Sequence, residues 1–162
     1  MKIFETTTTD QTKKIGQKIA EQIKNDLEKN KTPFHAAQGA AVICLSGDLG
    51  AGKTTFTQGL LEELGAEGPY TSPTFAIMKE YNLSNNNGEK NNLKTAYHID
   101  TYRIESKDIL ELDWNEIISN PGNVVIVEWA ERIRDIIPEN ATWINFEWIS
   151  ENERKITFVN EK

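Results

Sequence analysis

The stretch SGDLGAGKTT, residues 46–55, constrains this chain more than any other. It follows the apolar run AAVICL at 40–45 directly, and three of its first seven residues are glycine. Glycine that dense cannot fill a packed core element, because it brings no side chain and holds helix or strand poorly. A short, continuously apolar and partly β-branched run reads as a central strand covered on both faces. The glycines behind it then read as a loop whose bare backbone must approach something closely. After the loop, KTTFTQGLLEEL reads as a helix that Gly65 stops. Strand, bare loop and helix in that order put the chain among α/β folds.

Gly47, Gly52, Lys53 and Thr54 satisfy G-x-x-x-x-G-K-[ST], with the required strand before and helix after. In such a P-loop, successive N–H groups turn inward around phosphate oxygens, and the helix N-terminus adds partial positive charge. Lys53, read as an exposed loop lysine, can reach the β- and γ-phosphates, and the Thr54 hydroxyl can ligate Mg²⁺. The expected ligand is a nucleoside triphosphate. Magnesium needs a second anchor, and two carboxylates close apolar strands, Glu128 in VVIVE and Asp100 in AYHID. Each could instead be a helix cap or a loop charge. Thr71, Ser72 and Thr74 around Pro73 read either as a switch sensing the γ-phosphate or as an ST-turn in a surface loop. His98, two residues before Asp100 on the same strand face, reads by default as a satisfied structural imidazole. With two histidines and one cysteine, no zinc site is expected.

The other segments fit one domain over residues 1–162. Ile15, Ile19, Ile23 and Leu27 recur every four residues between Asp10 and Asn30, one apolar stripe on a helix. The lysines at 13, 14, 18, 24, 29 and 31 are either the solvated face of that region, interleaved with Glu21, Asp26 and Glu28, or a local basic patch. NKTPFHAAQG and GPYTSPT read as loops. FAIMKEY and LKTAYHID read as strands joined across an asparagine-rich loop at 82–92. A helix capped by Ser106 is expected to run to about Ser119, with Ile109, Leu110, Trp114, Ile117 and Ile118 inward. NVVIV reads as a second fully apolar strand, and TWINFEW with RKITFV as a closing hairpin. Cys44 reads as a small buried hydrophobe. A net charge of −7 argues against autonomous nucleic-acid binding. No apolar run reaches the roughly 20 residues of a membrane helix, and no signal peptide opens the chain, so a cytoplasmic protein is expected.

GTPases and small-molecule kinases compete for this pattern. The guanine-reading N-K-x-D segment is missing, since the nearest string, NKTP, precedes the P-loop. Arg103, Arg132, Arg134 and Arg154 are the only arginines and do not cluster as a kinase lid would require. A kinase stays as the alternative. SGDLGAGKTTFTQGL, TSPTF, YHIDTYRI and VIVEWAE, in this order and spacing, closely resemble the TsaE family. These are small bacterial P-loop ATPases of the pathway that places threonylcarbamoyl on adenosine 37 of tRNAs.

The resemblance implies a P-loop NTPase-like three-layer α/β fold, with a mixed central β-sheet flanked by helices. It implies ATP and Mg²⁺ bound at Leu49, Gly50, Ala51, Gly52, Lys53, Thr54 and Thr55, the metal being held by Thr54 and Glu128. Asp100 is implicated in hydrolysis, Thr71 to Thr74 resemble the switch, and Trp129 matches the family's Glu-Trp pair. Thr7 and Arg154 lie about where family members contact the base. The implied partner is the TsaB–TsaD heterodimer, through which tRNA is met indirectly, with no role for a membrane. The stretch 82–92 looks like an insertion relative to the family. A P-loop domain with no evident arginine finger or water-positioning Gln should turn over slowly alone, since a finger is worth roughly 10³ to 10⁵ in rate.

Overall fold

The computed structural model describes residues 2–28, 39–73, 75–83 and 92–159. Among these, the strands β1 (Lys2–Thr6), β2 (Ala41–Gly47), β3 (Met78–Asn82), β4 (Thr95–Asp100), β5 (Asn123–Glu128), β6 (Thr142–Trp148) and β7 (Arg154–Val159) form one sheet. Their order is β1-β7-β6-β2-β5-β4-β3. The four central strands run parallel, β2 lying between β5 and β6 with β4 beyond β5. β3 adds antiparallel at one edge, and β7 then β1 at the other. The sheet is mixed, as expected. β1 carries too few residues to have announced itself, and it is held by its register with β7.

Alternation along the strands assigns the two faces. Ala41, Ile43, Leu45, Val124, Ile126, Ile144 and Phe146 meet α1 (Thr9–Glu28) and α2 (Lys53–Glu63) on one side. Val42, Cys44, Val125, Val127, Ile99 and Trp143 meet α3 (Ser106–Leu110), α4 (Trp114–Ser119) and a 3₁₀ segment at Ala130–Ile136 on the other. That makes three layers. Cys44 is fully buried in β2, and burial pushes its thiol far above the ordinary range.

The α1 stripe sits as the periodicity predicts, with Ile15, Ile19 and Ile23 buried; the Leu27 side chain lies outside the described residues. What periodicity did not disclose is how close α1 comes to α2. A Cβ on Gly16 would lie 2.2 Å from the Phe56 carbonyl oxygen, and one on Gly59 would lie 2.2 Å from that of Lys13. The two helices touch backbone to backbone, and Lys24 adds a 2.8 Å ion pair to Glu63.

Three expectations need correction. The helix over 106–119 is two short helices, because Asp113 adopts a left-handed conformation at φ 56° and breaks the ladder. Leu110 is consequently 45 % exposed rather than inward. Glu105 takes the cap position in place of Ser106, its N–H donating to the Asp108 carboxylate at 2.9 Å. β3 begins at Met78, three residues later than FAIMKEY suggests, since the Ala76 and Ile77 N–H groups fold back onto the Pro73 carbonyl. The loops expected at 30–39 and 82–92 fall largely outside the described residues, as does Thr74.

Candidate functional site

The P-loop leaves β2 at the carboxyl edge of the parallel strands, where open α/β sheets hold their ligands. Gly47 has φ 107°, and a Cβ there would sit 2.0 Å from the Phe146 carbonyl oxygen, so no other residue fits against β6. Gly52, at φ 100°, caps α2, whose first N–H groups lack intrahelical partners and face the loop. The β6–β7 turn fastens the loop from behind. The Trp148 N–H donates to the Asp48 carboxylate at 3.1 Å, and the Arg154 Nε–H donates to the Gly50 carbonyl at 3.0 Å.

A cavity of about 390 Å³ opens over the loop, with Lys53, Thr54, Ser72, Asp100, Glu128 and Trp129 among its walls. Lys53 is not the exposed residue expected from sequence: it is only 5 % exposed. Its ammonium donates to the Gly47 and Asp48 carbonyls at 2.7 and 2.6 Å and lies 3.7 Å from the centroid of the Trp129 ring. Burial draws its pKa below the ordinary lysine value, while Glu128, Glu131, Asp48 and Asp100 push the other way. Trp129 holds its place in a left-handed conformation, φ 61°, and its ring packs on Tyr102 at 4.9 Å.

Asp100 and Glu128 are register partners on β4 and β5, 7 % and 3 % exposed. Their neighbours differ. Glu128 Oε2 accepts from the Thr54 hydroxyl at 3.0 Å, and Glu128 Oε1 lies 2.8 Å from His98 Nε2. Asp100 accepts from the Ser72 hydroxyl at 3.1 Å and from the Tyr102 N–H at 2.9 Å. The Thr54–Glu128 oxygen pair suits magnesium: both are hard donors, and the edge of an octahedron with bonds of 2.0–2.1 Å is about 2.9 Å. A single carboxylate and one hydroxyl leave the remaining positions to water and phosphate, as that ion prefers.

Of the switch candidates, Ser72 reaches this cavity; Thr71 instead meets Lys79, through its hydroxyl and, at 3.2 Å, its carbonyl. Ala51 is buried beneath the loop and Leu49 stands exposed on its rim. A second cleft, of about 320 Å³, lies on the other side of the loop, shares Gly50, Gly52 and Thr55 with the first, and holds Thr7 and Arg154. Arg154 also donates to the Ser150 carbonyl at 2.6 Å, so its guanidinium shapes the turn as well as the cleft. Sequence reasoning did not single out Tyr102, Arg103 and Asn152, which line these two spaces. The first two lie inside the quoted string YHIDTYRI, whereas nothing marked Asn152.

Parallel strands around a glycine-rich loop that runs straight into a helix define a P-loop NTPase-like α/β protein, a class built to hold nucleotides. The chain belongs to the TsaE family, whose model, described as "Threonylcarbamoyl adenosine biosynthesis protein TsaE", matches residues 6–156. It is 40 % identical over 123 residues to the tRNA threonylcarbamoyladenosine biosynthesis protein TsaE of Bacillus subtilis, covering 76 % of this chain and 72 % of that one. The protein of the same name from Rickettsia felis is 31 % identical over 153 residues, covering 93 % and 75 %. The crystal structure of Bacillus subtilis YdiB superposes with a TM-score of 0.67 at 30 % identity, over 99 % of this chain and 86 % of that one. No described helix is long and apolar enough to cross a membrane.

Proposed function

We propose that residues 1–162 act as one cytoplasmic domain, the Mg²⁺-dependent ATP-hydrolysing subunit of the system that places threonylcarbamoyl on adenosine 37 of tRNA. It works with a TsaB–TsaD heterodimer, meets tRNA only through that complex, and does not itself transfer the carbamoyl group. Similarity to proteins named for tRNA threonylcarbamoyladenosine biosynthesis supports the pathway. The observation that carries the chemistry is the convergence of Thr54, Glu128 and Asp100 on the cavity over the P-loop.

Each residue then has one task. The P-loop N–H groups and the Lys53 ammonium hold the phosphates, from Leu49 to Thr55. Thr54 and Glu128 hold Mg²⁺, which would neutralise phosphate charge and orient the β- and γ-phosphoryl groups. Asp100 orients the attacking water, with Ser72, among Thr71 to Thr74, relating it to the switch segment. Trp129, packed between Lys53 and Tyr102, serves the switch or the partner contact. The base lies in the second cleft between Thr7 and Arg154, whose flat guanidinium suits a stacked ring.

The test is ATP turnover by the purified chain, alone and with its cognate TsaB–TsaD pair. Turnover should be slow alone and rise when the pair is added, as expected of a P-loop domain whose site a partner completes. Rapid phosphoryl transfer to a small metabolite, indifferent to those partners, would make the protein a kinase.

A further inference from the structure

His98 is 1 % exposed, lies on β4 two residues inside Asp100, and reaches Glu128 across the β4–β5 ladder. Its Nε2 is 2.8 Å from Glu128 Oε1, and its Nδ1 is buried with no hydrogen-bond partner among the described residues. A proton on Nδ1 would therefore face no acceptor, so the tautomer that fits is the one with the proton on Nε2, donated to the carboxylate. Glu128 is thereby gripped at both oxygens, Oε1 by the imidazole and Oε2 by the Thr54 hydroxyl. A carboxylate on a flexible two-carbon stem would otherwise rotate either oxygen toward the helix. An orphaned buried nitrogen is a cost that an apolar side chain at 98 would avoid, so packing alone does not favour an imidazole here.

We propose that His98 is a positioning residue for the metal site: its Nε2–H fixes the Glu128 carboxylate so that Oε2 faces Thr54 and the divalent cation. The inference rests on the reading of Glu128 as a magnesium ligand. Partners that orient a metal-binding side chain commonly change metal affinity by roughly 10- to 100-fold when removed.

Calorimetry on the full chain, with ATP in excess Mg²⁺ and with ATP in EDTA, separates positioning from packing. His98→Leu should lower Mg·ATP affinity about tenfold and leave affinity in EDTA unchanged. His98→Gln, which keeps an N–H donor at similar reach, should recover most of that loss. Unchanged Mg·ATP affinity in His98→Leu would overturn the proposal. So would equal losses in the Leu and Gln variants, or a loss as large in EDTA. If thermal melting shows that His98→Leu does not fold, His98→Asn, too short to reach Glu128, takes its place with the same expectations. Glu128→Ala is measured alongside. If it keeps the full gain from Mg²⁺, the magnesium reading fails and this proposal with it. If it loses that gain while His98→Leu keeps it, only the proposal fails.

Discussion

Two carboxylates stand side by side at the ends of β4 and β5 with different neighbours, and the proposed function gives them separate work. Glu128 touches the first turn of the P-loop helix through Thr54, so in the proposed role it acts on what the loop holds in the ground state. Asp100 instead touches Ser72 and the Tyr102 backbone. A group that matters only in the transition state lowers rate and leaves affinity alone. Glu128→Ala should therefore weaken Mg·ATP binding and turnover together. Asp100→Ala should bind Mg·ATP normally and lose about 100-fold or more in TsaB–TsaD-stimulated hydrolysis. Both constants measured for both variants decide the matter, and the opposite pattern would exchange the two roles. At this scale the sequence was informative wherever a residue's place in a strand fixed its direction. Parity puts His98 and Asp100 on one face, yet contact between His98 and Glu128 needed the register of β4 on β5, which no single stretch contains. Lys53 was misjudged as exposed for a related reason: Trp129, the residue that covers it, lies on a different strand's exit.

Elements with an unbroken apolar pattern were legible, and those whose limits depend on one residue's conformation were not. β2, α2, β5 and the β6–β7 hairpin stand where their patterns put them. The stretch 106–119 carries helical spacing throughout, but the left-handed Asp113 splits it, and spacing holds no record of that. β1 is too short to show alternation and exists through its pairing with β7. The glycines of α1 and α2 were likewise silent, because a glycine within a helix reads as weakness until its neighbour is known. Here the neighbour is the facing helix backbone, so added bulk must push the helices apart. Gly16→Ala and Gly59→Ala should each destabilise by about 2 kcal/mol or more, despite alanine's better helix propensity. For a chain of this size that lowers Tm by on the order of 5 °C, and an unchanged melting curve would mean the helices are not in contact.

Taken whole, the molecule has one helix-backed wall, in which α1, α2 and the P-loop are locked together, and a cavity over that loop whose walls also carry Ser72, Tyr102 and Trp129. Under the proposed function that locked wall grips the phosphates, whatever the base. In the proposed function the base lies in the second cleft, which carries Thr7 and Arg154, and the sequence has no N-K-x-D-type reader of guanine. ATP should outcompete GTP in equilibrium competition, and equal affinities would count against ATP as the nucleotide. The net charge of −7 is in keeping with the proposed subunit, which leaves the nucleic acid to its partners. The single cysteine has a practical consequence at this same scale. Cys44 lies in the middle of the central strand, between β5 and β6, under helices on both faces. A thiol so deeply placed is invisible to alkylating reagents until the whole sheet comes apart. The chain thus carries its own clock for global opening. Its labelling rate in native buffer should slow when nucleotide is bound, and every probe cysteine introduced at the surface would be read against a silent background.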